Sequence, residues 1–256
     1  MQFLKTIKIY DTEFTKIRIG DRHDGGYVVL DEVSHMCQKL YSYGVETNSS
    51  FENEFVGKYD CDAHLFDHTV NQAAEINPRF TFDKEGLSYH TTNDCDTLEN
   101  HLNKYGSPFH KTLKMDIEWC EWDIFEKMSE YILTQFDQIL CEFHIVPVKY
   151  LDKHSPYFTQ FHQHVYDNVN YILFEKYKKV LKKIQEHYYI FHLHANNSIP
   201  ANFVNGEIIP PLLELSLVNK QCVSNPKLST ASYPIDGLDY PNKTDRPDIL
   251  NIPWNV

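Results

Sequence analysis

Positive charge is scarce in this sequence: 24 Lys and Arg stand against 36 Asp and Glu among 256 residues, a net charge of −12. A surface so acidic repels polyanions, and nucleic acid is not an expected partner. The one basic stretch, residues 176–183, reads as the solvated face of a helix. Closely spaced cysteines are missing too. Cys37, Cys61, Cys95, Cys120, Cys141 and Cys222 are scattered with no CxxC pair, which excludes a zinc module and a dense disulfide framework. Cys141 falls inside an apolar run, where a free thiol behaves as a small hydrophobe, so a reducing compartment is expected. Nowhere do 18 apolar residues run together, and residues 1–5 lack the apolar core of a signal peptide; the expectation is a cytoplasmic protein with no membrane partner. GxGxxG, the fingerprint of a dinucleotide pyrophosphate site, is absent, as are internal repeats and low-complexity segments.

What is present is material for a large core. Hydrophobic residues at 42% and aromatic ones at 14%, with no composition break, predict one domain over 1–256. Seven runs rich in β-branched or aromatic residues lie between turn signals and read as strands: 39–45, 63–68, 86–92, 112–118, 138–144, 188–195 and 211–219. Several are continuously apolar, as strands buried on both faces are. Helices alternate with them. Ser49 with Glu52 and Asp96 with Glu99 have the spacing of capping boxes opening helices over 51–59 and 98–105, the second ended by Gly106. Further helices are predicted at 122–133 and 159–187. Such alternation implies right-handed crossovers and a doubly wound α/β sheet, closed by an antiparallel hairpin of the last two strands. Residues 1–36 form an arm carrying Asp24-Gly25-Gly26-Tyr27, 37–223 the α/β core, and 224–256 a tail rich in Pro, Asp and Asn.

In an open α/β sheet, ligands bind beyond the carboxyl ends of the strands, at the switch point of the winding. The first strand ends Tyr43-Gly44-Val45-Glu46, where a glycine lets the backbone approach a ligand. The second ends Phe66-Asp67-His68, about twenty residues later, the position from which an acid grips both hydroxyls of an adenosine ribose. The competing reading of Asp67 is a helix cap. The fourth strand ends with Lys114, Asp116 and Glu118, which strand alternation groups on one side; burying them is costly unless a cation or polar ligand is the reason. Glu142 and His144 close the fifth strand, and His192 and His194 the sixth, at the same period of two. Taken singly, each histidine reads as a satisfied core residue. Together, acids and imidazoles gather at the same end of three successive strands, as an active site requires.

The segments Arg18-Ile19-Gly20, Asp24-Gly25-Gly26-Tyr27-Val28-Val29-Leu30-Asp31, Tyr41-Ser42-Tyr43-Gly44-Val45, Phe51-Glu52, Phe66-Asp67, Leu113-Lys114-Met115-Asp116-Ile117-Glu118 and Glu142-Phe143-His144 resemble the FkbM-type methyltransferases. The likeness runs in order over roughly residues 15–220, and is strongest to the branch of methyltransferase-like proteins with a DGGY arm before the first strand. It implies a class I, Rossmann-like seven-stranded sheet whose last strand is antiparallel. It also implies S-adenosylmethionine as cofactor, held by Gly25, Gly26, Tyr27, Tyr43, Gly44, Val45, Glu46, Phe66, Asp67, His68 and Asp116. The implied reaction is methyl transfer to an oxygen or nitrogen nucleophile, with a hydroxyl of a small molecule or glycan as the expected acceptor. Two departures stand out: only Gly44 remains of an acid-x-Gly-x-Gly pattern, and Trp119 sits where the family tends to have Gly after the second acid.

Direct displacement needs nucleophile, methyl carbon and sulfur in line, and a hydroxyl acceptor needs somewhere to leave its proton. Two arrangements fit the residues. The catalytic set His144, Asp116 and His194 offers a histidine as general base; alternatively Asp116, Glu142 and His144 hold a divalent cation, Mg2+ or Mn2+, that lowers the hydroxyl pKa and orients the acceptor. Tyr150, Tyr157, Phe158, Phe161, Tyr166 and Tyr171 suit stacking on sugar rings and equally suit the buried stripe of a long helix. Readings from other classes are a nucleotide-dependent oxidoreductase, since Gly44 followed by Asp67 also suits a dinucleotide, and a catalytically inactive methyltransferase fold serving as a binding module.

Overall fold

The computed structural model describes residues 3–145, 163–204 and 207–249, and of 163–171 and 202–208 only the backbone. An antiparallel hairpin comes first, β1 (Lys16–Gly20) and β2 (Gly26–Leu30), with Ile19 opposite Tyr27. The alternating core follows: β3 (Lys39–Tyr43), α1 (Ser50–Tyr59), β4 (Asp62–Phe66), β5 (Phe80–Asp83), α2 (Leu98–Tyr105), β6 (Lys111–Met115), α3 (Glu121–Lys127) and β7 (Gln138–His144). The long helix α4 (Gln163–His187) then leads into β8 (Tyr188–Asn196), and β9 (Leu212–Asn219) completes the sheet.

These seven core strands form one sheet in the order β8-β9-β7-β6-β3-β4-β5. Strand β9 runs antiparallel to both neighbours, and the rest are parallel. This is the α/β architecture of class I methyltransferases. The winding reverses between β3 and β6, so the carboxyl ends of these two strands flank the crevice where such sheets bind ligands. Every residue of β7 and of β9 is buried, which accounts for their apolar content, while Gln138, Glu142, His144, Glu214, Ser216 and Asn219 are buried among them.

One face of the sheet packs against α2, α3 and α4 through an aromatic-rich core. Trp122 stacks on Tyr177 at 4.1 Å and lies 4.5 Å from Phe143, and its indole N–H donates to the His144 carbonyl at 2.7 Å. That bond fixes the end of β7 to the start of α3. The other face is covered by α1 and the hairpin, with Tyr27, Phe51, Phe55 and Leu140 in a second core. Gln138 anchors the hairpin by accepting the Leu30 N–H at 2.8 Å, and Ser216 donates to the Val28 carbonyl at 2.7 Å. Among the described residues, no helix is long and apolar enough to cross a membrane.

Four local expectations are corrected. The third strand is Phe80–Asp83, whereas Gly86–Leu87 makes only a two-residue parallel pairing with Cys95–Asp96. Strand β6 stops at Met115, so alternation does not carry through to Glu118. The helix predicted over 122–133 is broken, with α3 ending at Lys127 and a separate turn at Glu130–Leu133 capped by Ser129. Neither capping box forms. Ser49 Oγ accepts from Glu75 N–H, Glu52 accepts from the Ser42 hydroxyl, and Thr97 rather than Asp96 caps α2. At Ser49 and Glu52 a tertiary partner outcompeted the local one, and at Asp96 the neighbouring Thr97 took the cap.

Candidate active site

Gly44 follows β3 with φ of +74°, and a Cβ there would lie 1.6 Å from the Asp116 carbonyl oxygen, so only glycine fits. Its N–H donates to the Phe66 carbonyl at 3.0 Å, and its own carbonyl accepts from Lys114 Nζ at 2.8 Å. Two residues on, the Glu46 N–H donates to Asp67 Oδ2 at 2.8 Å, while Thr69 gives its N–H and hydroxyl to Oδ1 at 2.7 and 2.6 Å. Gly44 and Asp67 therefore stand side by side at the rim of the sheet. Burial opposes the charge of Asp67, but these hydrogen bonds and nearby His68 outweigh it and hold the carboxyl below its usual range. A cavity of about 360 Å3 opens here; Gly44, Glu46, Phe66, Asp67, His68 and Asp116 are among its walls. That volume lies within the ~300–1,000 Å3 common for small-molecule sites.

Across the cavity, the chain leaving β6 turns through two left-handed residues, Glu118 at φ +56° and Trp119 at φ +77°. Strain of this kind, on the order of 1–3 kcal/mol per residue, persists where surroundings enforce it. The turn delivers Glu118 to His144: Glu118 Oε2 lies 3.2 Å from Nε2, and Glu121 Oε1, wholly buried, lies 3.0 Å from Nδ1. The Trp119 ring packs 4.8 Å from the imidazole. Donor atoms of Asp116, Glu118 and His144 lie within 4.8 Å of one another, a two-carboxylate, one-imidazole set suited to a divalent cation. Glu121 Oε2, buried beside this set, has no hydrogen-bond partner among the described residues.

Burial opposes protonation of His144, but its hydrogen bonds to Glu118 and Glu121 and the charges of Glu121 and Glu142 dominate and push its pKa up to about 11. These carboxylates favour the protonated form of His144, which works against a role as general base. Asp116 differs. Burial, with Glu121 and Glu118 nearby and despite Lys114 and His144, raises its carboxyl to about 6. The Tyr27 hydroxyl donates to Asp116 Oδ2 at 3.2 Å, so the DGGY arm reaches the site through its tyrosine.

The remaining expected residues lie elsewhere. Gly25 and Gly26 serve the hairpin turn: a Cβ on Gly26 would meet the Asp21 carbonyl at 2.0 Å and the Arg18 guanidinium at 2.8 Å, leaving no face for a ligand. Tyr43 is buried beneath the rim with its hydroxyl 3.1 Å from His101, and Val45 belongs to the core under α1. Glu142 accepts from Asn196 Nδ2 at 2.7 Å and stands outside the compact triad, where Glu118 takes the place expected for it. Burial and the charges of Asp116 and Glu214 push Glu142 well above the carboxylate range. His194 lies on edge strand β8, two strands from β7, between Glu214 at 3.2 Å and Asp248 at 3.4 Å. Burial opposes its charge too, but Glu214, Asp248 and Asp239 push its pKa up to about 10 and favour its protonated form. The side chains of Tyr150, Tyr157, Phe158, Phe161, Tyr166 and Tyr171 lie outside the described residues.

A larger cavity, about 750 Å3, opens at the opposite end of the sheet among Met36, Phe109, Lys111, Tyr131 and Asn219. It lies at the amino ends of the parallel strands, away from Asp67, Asp116 and His144. Volume alone does not make the site; the converging acids do. The sequence matches the family described as "Methyltransferase domain" over residues 6–193, and the chain belongs to that methyltransferase family. No curated protein matches it.

Proposed function

We propose that the chain transfers the methyl group of S-adenosylmethionine to a hydroxyl of a sugar or glycan, the acceptor class that its FkbM-type resemblance implies. The observation carrying this reading is the pairing, across one cavity, of Asp67 beside Gly44 with a carboxyl at Asp116 raised to about 6. The residues fit the cofactor. Asp67 is charged and, with three donors already on it, keeps one lone-pair site on Oδ2 for a ribose hydroxyl, Gly44 presents bare backbone, and Phe66, Leu87 and Ile117 give apolar walls for a base. When bound, the cofactor supplies an electrophilic methyl on its sulfonium.

Asp116 would accept the hydroxyl proton on Oδ1, the oxygen that Tyr27 does not hold, and a pKa near neutrality suits that task. Asp116, Glu118 and His144 are the residues that would hold Mg2+ or Mn2+, whose contribution would be Lewis acidity toward the acceptor oxygen. Ligation through Nε2 would displace the proton of that nitrogen into water. Calorimetry with S-adenosylmethionine tests the reading: Asp67→Ala should weaken binding at least tenfold, about 1.4 kcal/mol. Equal affinity in the variant, or tighter binding of NAD than of S-adenosylmethionine, refutes it. Transfer that stops with chelator and returns with Mg2+ or Mn2+ supports the cation; transfer indifferent to chelator leaves proton removal to Asp116 alone.

A further inference from the structure

Behind the cavity wall lies a second acid–histidine cluster that the proposed chemistry does not use. The wall is the segment following β5, whose Gly86 and Leu87 pair in parallel with Cys95 and Asp96. Gly86, Leu87, Ser88 and Cys95 face the cavity. Glu85 immediately precedes this pairing, Asp96 is its last member, and His101, in the first turn of α2, completes the group. One ligand atom from each of Glu85, Asp96 and His101 lies within 4.8 Å of the other two.

Acids gathered at a turn mean little alone, but His101 adds an independent observation. Its side chain is fully buried, between Phe66 at 4.5 Å and Tyr43 at 5.6 Å. Its Nδ1 is engaged by the Tyr43 hydroxyl at 3.1 Å. Its Nε2 faces Glu85 Oε2 at 3.2 Å, yet it has no hydrogen bond of acceptable geometry among the described residues. A buried ring nitrogen left without an aligned partner, with its other nitrogen fixed by a polar group, is the arrangement of a metal-ligating histidine and its orienting neighbour. Asp96 is prepared in the same way. The Thr91 hydroxyl at 2.6 Å, the Thr97 N–H at 2.8 Å and Asn100 Nδ2 at 2.7 Å all donate to Oδ1, which orients the carboxylate and leaves Oδ2 for another ligand. Lys104 Nζ competes for Glu85 Oε2 at 3.5 Å, but that side chain is 57% exposed and can swing into water.

We propose that Glu85, Asp96 and His101 bind a divalent transition-metal ion, Zn2+ or Mn2+, through two carboxylates and one imidazole, with water completing the shell. The ion is structural: it ties the two sides of the cavity wall to α2 and so braces the apolar face of the pocket. The inference is independent of the acceptor and of the reaction.

Zn2+ titrated calorimetrically into chelator-stripped full-length protein tests it, in a Glu118→Gln background that removes the cavity-side triad. That background should retain one bound Zn2+ and a zinc-dependent rise in melting temperature. Adding Glu85→Gln or Asp96→Asn should weaken the binding at least tenfold and erase the rise. Glu85 is partly exposed, at 29% of its side chain, and Gln preserves its shape, so Glu85→Gln should keep the native circular dichroism even if replacing the core residue His101 does not. Failure of the Glu118→Gln protein to bind Zn2+, or binding that Glu85→Gln leaves unchanged, overturns the proposal.

Discussion

His144 and His101 are each buried and each walled by carboxylates that favour the charged ring, yet the balance against burial falls in opposite directions. At His144, both ring nitrogens meet a carboxylate, Glu118 and Glu121, and the acids win over burial. At His101, burial wins over Glu85 and Asp96, and the pKa is lowered. Only one of its nitrogens has an aligned partner, the neutral Tyr43 hydroxyl, and aromatic rings fill the rest of its surroundings. The lesson is one of balance: two carboxylates hydrogen-bonded to His144 outweigh its burial, whereas Glu85 and Asp96 do not outweigh that of His101.

The largest expected effect comes from breaking the backbone seam of the cavity-side cluster. Gly44→Ala places a methyl group against the Asp116 carbonyl at a left-handed φ, and should cost about 3 kcal/mol or more and abolish cofactor binding. Melting curves and calorimetry measure both. Next, Glu121→Gln removes one aligned partner of His144 while preserving shape. Breaking a buried ion pair typically costs roughly 3–5 kcal/mol, and retention of a hydrogen-bonding amide should bring the loss to the lower end or below. By NMR, the His144 titration should move down from about 11. An unmoved titration would show that Glu121 is not what sets it.

The two histidines also predict opposite pH responses. The folded pKa of His144 is raised above its unfolded value of 6.5, so the stability it contributes is complete below pH 6.5 and is lost as pH rises toward about 11. For His101 the folded pKa is lowered, so the unfolded chain binds the extra proton first and stability falls as pH drops below 6.5. Site-resolved imidazole titration separates these from His192 and His194, and matching shifts at the two rings would remove the contrast. The smallest effect is expected for Trp119→Gly. Relief of the left-handed strain, about 1 kcal/mol, should nearly offset the lost ring contact with His144, leaving stability within about 1 kcal/mol of wild type in chemical denaturation.

Much of this was legible in the sequence where one physical demand dominated. Buried strands read as apolar runs, and Gly44 and Asp67 read from their places after the first and second strands. Strand β5 escaped because it is short, lies at an edge and has no fully buried residue, while the β-branched and aromatic residues of 86–92 imitated a strand. Glu118 was visible but placed by the wrong rule: a left-handed turn, not strand alternation, carries it to His144. Trp119 offered a signal in hindsight, since a bulky residue at a position that tends to be glycine adopts glycine's φ here. Glu121 and His101 gave none. Their roles depend on contacts with β7 and β3, which no local spacing encodes.

The contact between Gly44 and Asp116 has a practical consequence for anyone wishing to redirect this enzyme. With no room for even a methyl group between them, the segment leaving β3 and the segment leaving β6 behave as a single hinge leaf, and inserting or reshaping one displaces the other. Redesign of the cavity is therefore better begun at single side chains of its walls than by grafting loops at this seam.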